Sequence, residues 1–190
     1  RKAVSLKHLG TCRAERNFEF KAEDQEQRDS LAFKHPNMVG LAEVGRKLTC
    51  CPAVPGNKVE PLVDGDQAYP AMLKAIANAK YSVALLSYIF DCDRTGNKFL
   101  EALVEARKRN VQIRVLIDDV GSKYSKPNMV DCLKEAGITA ASFLPTRVPR
   151  LPLYANLRNH RKILVVDGKV GFTGGTNIRD DHCLKMKTKH

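Results

Sequence analysis

From residue 58 onward, short apolar runs alternate with stretches in which apolar residues recur every three to four positions. The first pattern predicts strands and the second amphipathic helices. Residues 58–63 form a short apolar-containing run closed by Asp64-Gly65. Asp66 can then cap a helix whose stripe is Tyr69, Met72, Leu73 and Ile76, with Pro70 in its first turn. Residues 82–90 are almost continuously apolar, the pattern of a strand covered on both faces. Gly96 opens a helix with Phe99, Leu100, Leu103, Val104 and Ala106 facing inward, and residues 111–117 supply a second buried strand. Pro127 marks a third helix carrying Met129, Val130 and Leu133, which Gly137 stops before a strand over residues 138–144. These repeated strand–helix–strand units predict an α/β domain over residues 58–190, a mostly parallel or mixed sheet flanked by helices.

The rhythm breaks over residues 145–159, where Pro145, Pro149 and Pro152 accompany Arg147, Arg150 and Arg158 without an acid, as in a basic loop or disordered crossing. Residues 162–167 and 169–173 then read as two short strands around Asp167-Gly168, a two-residue hairpin signal. Residues 1–57 read as a helical or partly irregular lead-in, because Met38, Val39, Leu41, Ala42, Val44 and Leu48 recur at helical spacing before Cys51-Pro52 and Pro55-Gly56 interrupt them.

Composition narrows the partner. Among 190 residues, 32 Lys and Arg face 21 Asp and Glu, a net charge of +11 that favours an anionic partner, nucleic acid or phospholipid. Apolar residues make up 43% of the chain, enough for a core, which excludes a disordered tail. No run reaches the roughly 18 apolar residues of a membrane-spanning helix, and the first residues lack a signal peptide's apolar stretch. The chain as given therefore reads as soluble or peripheral. The six cysteines are irregularly spaced, without a CxxC pair, and read as reduced intracellular thiols; Cys50-Cys51 lacks a second pair or nearby His to bind metal.

Chemistry concentrates in Asn159-His160-Arg161-Lys162-Ile163-Leu164-Val165-Val166-Asp167, followed by Gly174-Gly175-Thr176-Asn177. Residues two apart on an extended chain share a face, so His160 and Lys162 point one way while Ile163 and Val165 point the other. Imidazole is a nucleophile near neutral pH, and an ammonium beside it can hold charge developing on a phosphoryl oxygen. Gly174 and Gly175 allow close backbone approach, and Asn177 can donate an amide hydrogen bond to another oxygen. Asp167 admits two roles, a carboxylate of the reacting site or a turn residue holding the hairpin. Arg158 and Arg161 can touch phosphate or solvate a loop, with Arg161 alternating away from His160. His182 and His190 have no placed partner.

This stretch resembles the phospholipase D superfamily signature, His-x-Lys-x4-Asp followed by a Gly-Gly and Asn end. Upstream, Leu62-Val63-Asp64-Gly65, Tyr69-Pro70-Ala71-Met72-Leu73, Tyr88-Ile89-Phe90, Arg114-Val115-Leu116-Ile117-Asp118 and Leu157-Arg158-Asn159-His160-Arg161-Lys162 are similar to the bacterial cardiolipin synthases of that superfamily, over roughly residues 57 to 182.

The resemblance implies a phospholipase D-like half-domain with metal-independent phosphodiester chemistry and no cofactor. His160, Lys162 and Asp167 would be its catalytic residues, and Arg158, Gly174, Gly175 and Asn177 would bind substrate. It further implies a phosphatidyltransferase in which His160 attacks phosphorus to form a phosphohistidine. A second histidine, from a second catalytic half or a homodimer partner, protonates the leaving alcohol. A carboxylate that usually orients the nucleophile falls beyond this chain. The implied partners are phosphatidylglycerol and a membrane surface, ahead of nucleic acid, with the intact enzyme longer and membrane-anchored and this chain alone soluble or peripheral in the cytoplasm. Two other readings stand beside this one. One is a single-motif phosphodiesterase or nuclease acting as a homodimer. The other is an inactive truncated half-domain that binds anionic lipid or nucleic acid through Arg147, Arg150, Arg158, Lys185, Lys187 and Lys189.

Overall fold

A computed structural model describes residues 34–49, 57–145 and 158–183. The expected basic crossing after Pro145, the Cys50-Cys51 pair, Cys12, His190 and the basic tail fall outside them. The chain divides into two units, with the boundary between Glu60 and Pro61. In the first, a 3-10 turn, Pro36–Met38, leads into helix α1, Val39–Thr49. Glu43 pairs there with Arg46 at 2.5 Å and Lys47 at 3.9 Å.

The second unit contains helices α2, Asp64–Ala77, α3, Arg94–Lys108, and α4, Met129–Glu135. Its strands are β1, Ser82–Ser87, β2, Gln112–Asp118, β3, Thr139–Phe143, β4, Ile163–Val166, and β5, Val170–Thr173. They form one mixed sheet in the order β3-β2-β1-β4-β5, in which β1, β2 and β3 run parallel and β4 is antiparallel to both β1 and β5. The molecule is thus an α/β sheet flanked by helices. Helices α3 and α4 are the crossovers that parallel neighbours require.

Local chemistry explains the element ends. The Asp93 carboxylate caps α3 by accepting the Gly96 N–H at 2.8 Å, and Asn128 caps α4 through the Val130 N–H at 2.8 Å. Gly137, at φ 73°, lets the chain leave α4 and return as β3. Asp167 and Gly168, at φ 53° and 64°, are the central residues of a turn closed by the Lys169 N–H on the Val166 carbonyl at 3.0 Å; because Val166 pairs with Val170, the connection from β4 to β5 has three residues rather than the two expected.

Residues 58–63 form no strand, and two further sequence expectations change. Helix α2 begins at Asp64 rather than after an Asp66 cap, because its N-cap is Val63, whose N–H donates to Gln67 Oε1 at 2.9 Å. Pro70 therefore falls inside the helix rather than in its first turn. The start is also held by packing, since a Cβ on Gly65 would lie 2.7 Å from the His182 carbonyl oxygen.

The second change concerns β1, whose apolar run predicted cover on both faces. Val83, Leu85 and Ser87 are buried, but Ala84 is exposed, as are Arg114 and Val165 beside it on that face. The buried face joins Ile113, Val115, Ile117, Leu164 and Val166 in one cluster with Ile76, Phe99, Leu103 and Leu133 of the helices. Burying this face is the main term holding sheet to helices, at about 25 cal/mol per Å² of apolar surface.

The Asp167 carboxylate accepts the backbone N–H groups of Lys80, Tyr81 and Ser82 at 2.9, 2.8 and 2.8 Å, pinning the hairpin to the start of β1. These bonds hold it below the ordinary carboxylate range. A depressed carboxyl adds stability that is present above its unfolded value, about 3.9, and is lost as pH falls through the folded value. Asp167→Asn should lower Tm near neutral pH, with the gap to the unsubstituted protein narrowing at acid pH, as the depressed carboxyl becomes protonated. Thermal unfolding followed by circular dichroism at both pH values checks this, and a gap unchanged in acid would refute it.

Candidate active site

Strand direction determines which loops meet. The carboxyl ends of β1, β2, β3 and β5 lie at one end of the sheet, as does the start of β4, because β4 runs opposite to its neighbours. Tyr88, Leu144, residues 158–162 and Asn177 sit in the connections at that end, and Asp118 is the last residue of β2. Such an end, where loops diverge from the strands, is where open α/β sheets place ligands.

His160 and Lys162 precede β4 in extended chain, and their side chains meet: Lys162 Nζ lies 3.0 Å from His160 Nδ1. The ammonium also donates to the His160 carbonyl oxygen at 2.7 Å. His160 is exposed, whereas Lys162 is buried, and burial pushes its ammonium below the ordinary lysine value. A protonated lysine has donors only, so Nδ1 accepts and the neutral ring carries its proton on Nε2.

The segment entering β4 is tied to β2. Asp118, completely buried, accepts the Val120 N–H at 3.0 Å and the Asn159 N–H at 3.1 Å, and its carboxylate is 3.7 Å from Arg158 Nη1. Arg158 Nη1 also donates to the Leu144 carbonyl at 3.2 Å. The guanidinium expected to meet substrate is thus engaged with the protein, and it fixes the chain two residues before His160.

Asn177 Oδ1 accepts the Ile89 N–H at 3.1 Å, which leaves its Nδ2 free to donate. The Asn177 carbonyl accepts from Tyr69 Oη at 2.5 Å, while Phe90 and Ile178 form a parallel bridge. Asp180 completes this anchoring by accepting both the N–H and the hydroxyl of Thr95, at 2.9 and 2.6 Å, at the start of α3. Gly174 and Gly175 are exposed, and a Cβ on either would meet nothing within 4 Å. The protein's own packing does not demand glycine there.

The structure does not bring Asp167 to His160. Its bonds to Lys80, Tyr81 and Ser82 place it at the opposite end of β4. Seven residues of extended chain separate the two by roughly 20 Å. His182 is half-buried beside Gly65, and burial, with Arg179 nearby, pushes its imidazole below the ordinary value. Cys92, Cys132 and Cys183 are unbridged, and burial raises the Cys92 thiol to about 12. Among the described residues, no group of three His, Cys, Asp or Glu side chains could hold a metal ion.

Sequence reading missed two residues as site residues. Tyr88 packs its ring 4.6 Å from that of His160, centroid to centroid, and Asp118 braces the segment before it. Asp118 is a polar group closing an apolar strand run, and both residues fall in the segments similar to cardiolipin synthases, the signals that could have singled them out.

The family model for the cardiolipin synthase, PLD-like domain matches residues 72–186. The chain belongs to that family. Cardiolipin synthase 1 of Bacillus anthracis is 35% identical over 184 residues, which cover 95% of this chain and 36% of the relative. Cardiolipin synthase 1 of Staphylococcus aureus (strain COL) is 41% identical over 126 residues, covering 66% of this chain and 26% of the relative. The chain therefore spans about a third or less of the length of these relatives. Among solved structures, the phospholipase D family member Nuc from Salmonella typhimurium overlays 61% of this chain and 68% of its own, at TM-score 0.46 and 24% identity.

Burial makes a direct prediction for the PLD-like site. Lys162 should titrate below a free lysine, whose value is about 10.4. NMR of the labelled ammonium across alkaline pH measures this, and a midpoint at or above the free value would show that the side chain is solvated.

Proposed function

We propose that this chain is the nucleophile-bearing half of a phospholipase D-type phosphatidyltransferase. It acts as a cardiolipin synthase that joins two phosphatidylglycerols and releases glycerol. Membership of the cardiolipin synthase, PLD-like family supports the chemistry class. The observation that carries the reading is the contact between His160 Nδ1 and Lys162 Nζ at the loop-bearing end of the sheet.

In this mechanism the anionic phosphodiester enters beside Lys162 and draws the ammonium toward a phosphoryl oxygen, which releases the ring lone pair that the ammonium had occupied. The imidazole then forms a nitrogen–phosphorus bond as the phosphorus–glycerol oxygen bond breaks, and the leaving oxygen takes a proton from a second histidine. The terminal hydroxyl of a second phosphatidylglycerol attacks phosphorus, gives up its proton to that same histidine and frees His160. Lys162 stabilises charge on the phosphoryl oxygen throughout, and Nδ2 of Asn177 supplies a further donor. Gly174 and Gly175 leave open space for the headgroup. Arg158 serves by holding the His160 segment, and Asp167 by holding the hairpin.

The second histidine comes from a second catalytic half, either further along a longer polypeptide or in a partner copy. The short coverage of the curated relatives favours the longer polypeptide. The net charge of +11 suits an anionic membrane surface, although among the described residues no helix is long and apolar enough to cross a membrane.

Turnover of phosphorus-labelled phosphatidylglycerol by the assembled enzyme, quenched in alkali and mapped by proteolysis, should place label on His160. His160→Ala should abolish both label and product. Lys162→Ala should lower the rate about a hundredfold or more, the scale of losing one donor from an oxyanion site. Label on another residue, or undiminished turnover by His160→Ala, would overturn the reading.

A further inference from the structure

We infer that Tyr88 is a positioning residue for the His160–Lys162 pair: its ring is the wall that orients the imidazole and seats the ammonium. The catalytic consequence rests on the phosphohistidine reading, while the geometric one does not.

Three contacts make a closed triangle. The Tyr88 and His160 rings lie 4.6 Å apart at 48°, Lys162 Nζ is 5.2 Å from the centre of the Tyr88 ring, and the same ammonium meets His160 Nδ1 at 3.0 Å. An aromatic face attracts a cation, so the ring favours the buried ammonium where it stands, with its N–H groups aimed at the histidine. Without that wall the imidazole has solvent on its exposed side and can rotate about its side-chain bonds.

Tyr88 is itself held with little freedom. Ser87 Oγ donates to the Ile89 carbonyl at 2.6 Å, and Asn177 Oδ1 accepts the Ile89 N–H, so the residues on both sides are fixed. Behind it the turn after β2 comes so close that a Cβ on Gly121 would lie 1.7 Å from the Tyr88 carbonyl oxygen, an approach only glycine allows. Burial, with Tyr124 three residues further on, pushes the Tyr88 phenol above its ordinary value. The same turn carries Asp118 at its root, and Asp118 holds Asn159. One short connection therefore braces the imidazole's own chain and the ring that faces it.

The two halves of the inference are separable by experiment. In the isolated chain, ¹⁵N NMR of the His160 ring at neutral pH should show one tautomer, with the proton on Nε2. Tyr88→Phe should keep it, and Tyr88→Leu should give averaged tautomers. In the assembled enzyme Tyr88→Leu should lower kcat about tenfold with KM within about twofold, and Tyr88→Phe should recover most of that loss. Tyr88→Met, which keeps an apolar side chain but no aromatic face, should likewise average the tautomers, which decides the question if Tyr88→Leu does not fold. A single unchanged tautomer in a folded Tyr88→Leu or Tyr88→Met protein would overturn the inference. Averaged tautomers in an enzyme whose His160→Ala variant still turns over would instead uphold the positioning and refute the phosphohistidine reading.

Discussion

The carboxylate of Asp118 is the interaction on which the site depends. A charged group with no exposure to water is costly unless its lone pairs are filled. Here two backbone N–H groups fill them and a guanidinium stands nearby. Those donors come from the turn that leaves β2 and from the segment that enters β4. Strands β2 and β4 are not neighbours, because β1 lies between them. Asp118 therefore joins, across the end of β1, two stretches that the sheet ladder alone would leave independent. His160 follows Asn159 directly, so its backbone is set by a buried ion rather than by a loop.

Strand β4 carries two jobs at its two ends. At its start, extended chain brings His160 and Lys162 side by side, and at its finish Asp167 accepts three backbone N–H groups from the chain entering β1. The spacing of the motif is thus the length of a strand. The His160–Lys162 pair at one end stays in register with the sheet because a carboxylate fixes the other. Ile163 and Val165 between them face the opposite side from Lys162, Leu164 and Val166, whose burial ties the strand to the helices.

Much of this was legible without coordinates. The helix spanning Phe99 and Leu103, the hairpin at Asp167-Gly168 and the shared side of His160 and Lys162 follow from periodicity and turn chemistry, which act between residues close in sequence. The start of α2 was misread because its cap is made by Gln67 and by packing on His182, and the second of these is a contact more than a hundred residues away. An apolar run says that side chains avoid water but not how many faces are covered, so the exposure of Ala84 in β1 was not legible either.

The sequence by itself determined that His160 and Lys162 share a side, since alternation along an extended chain is a property of the backbone, and it determined the family through residues at set spacings. Only the tertiary structure decided what surrounds that pair. Tyr88, just after β1, packs on the pair, and Asp118, at the end of β2, holds the segment before it, because parallel strands bring their carboxyl ends to one edge, and pairing order is not encoded in local pattern. It also decided what Asp167 and Arg158 hold within the protein: the Asp167 carboxylate accepts the N–H groups of Lys80, Tyr81 and Ser82, and Arg158 donates to the Leu144 carbonyl beside Asp118. A carboxylate or guanidinium takes whichever donors and acceptors the fold brings nearest in space, and local pattern does not encode those.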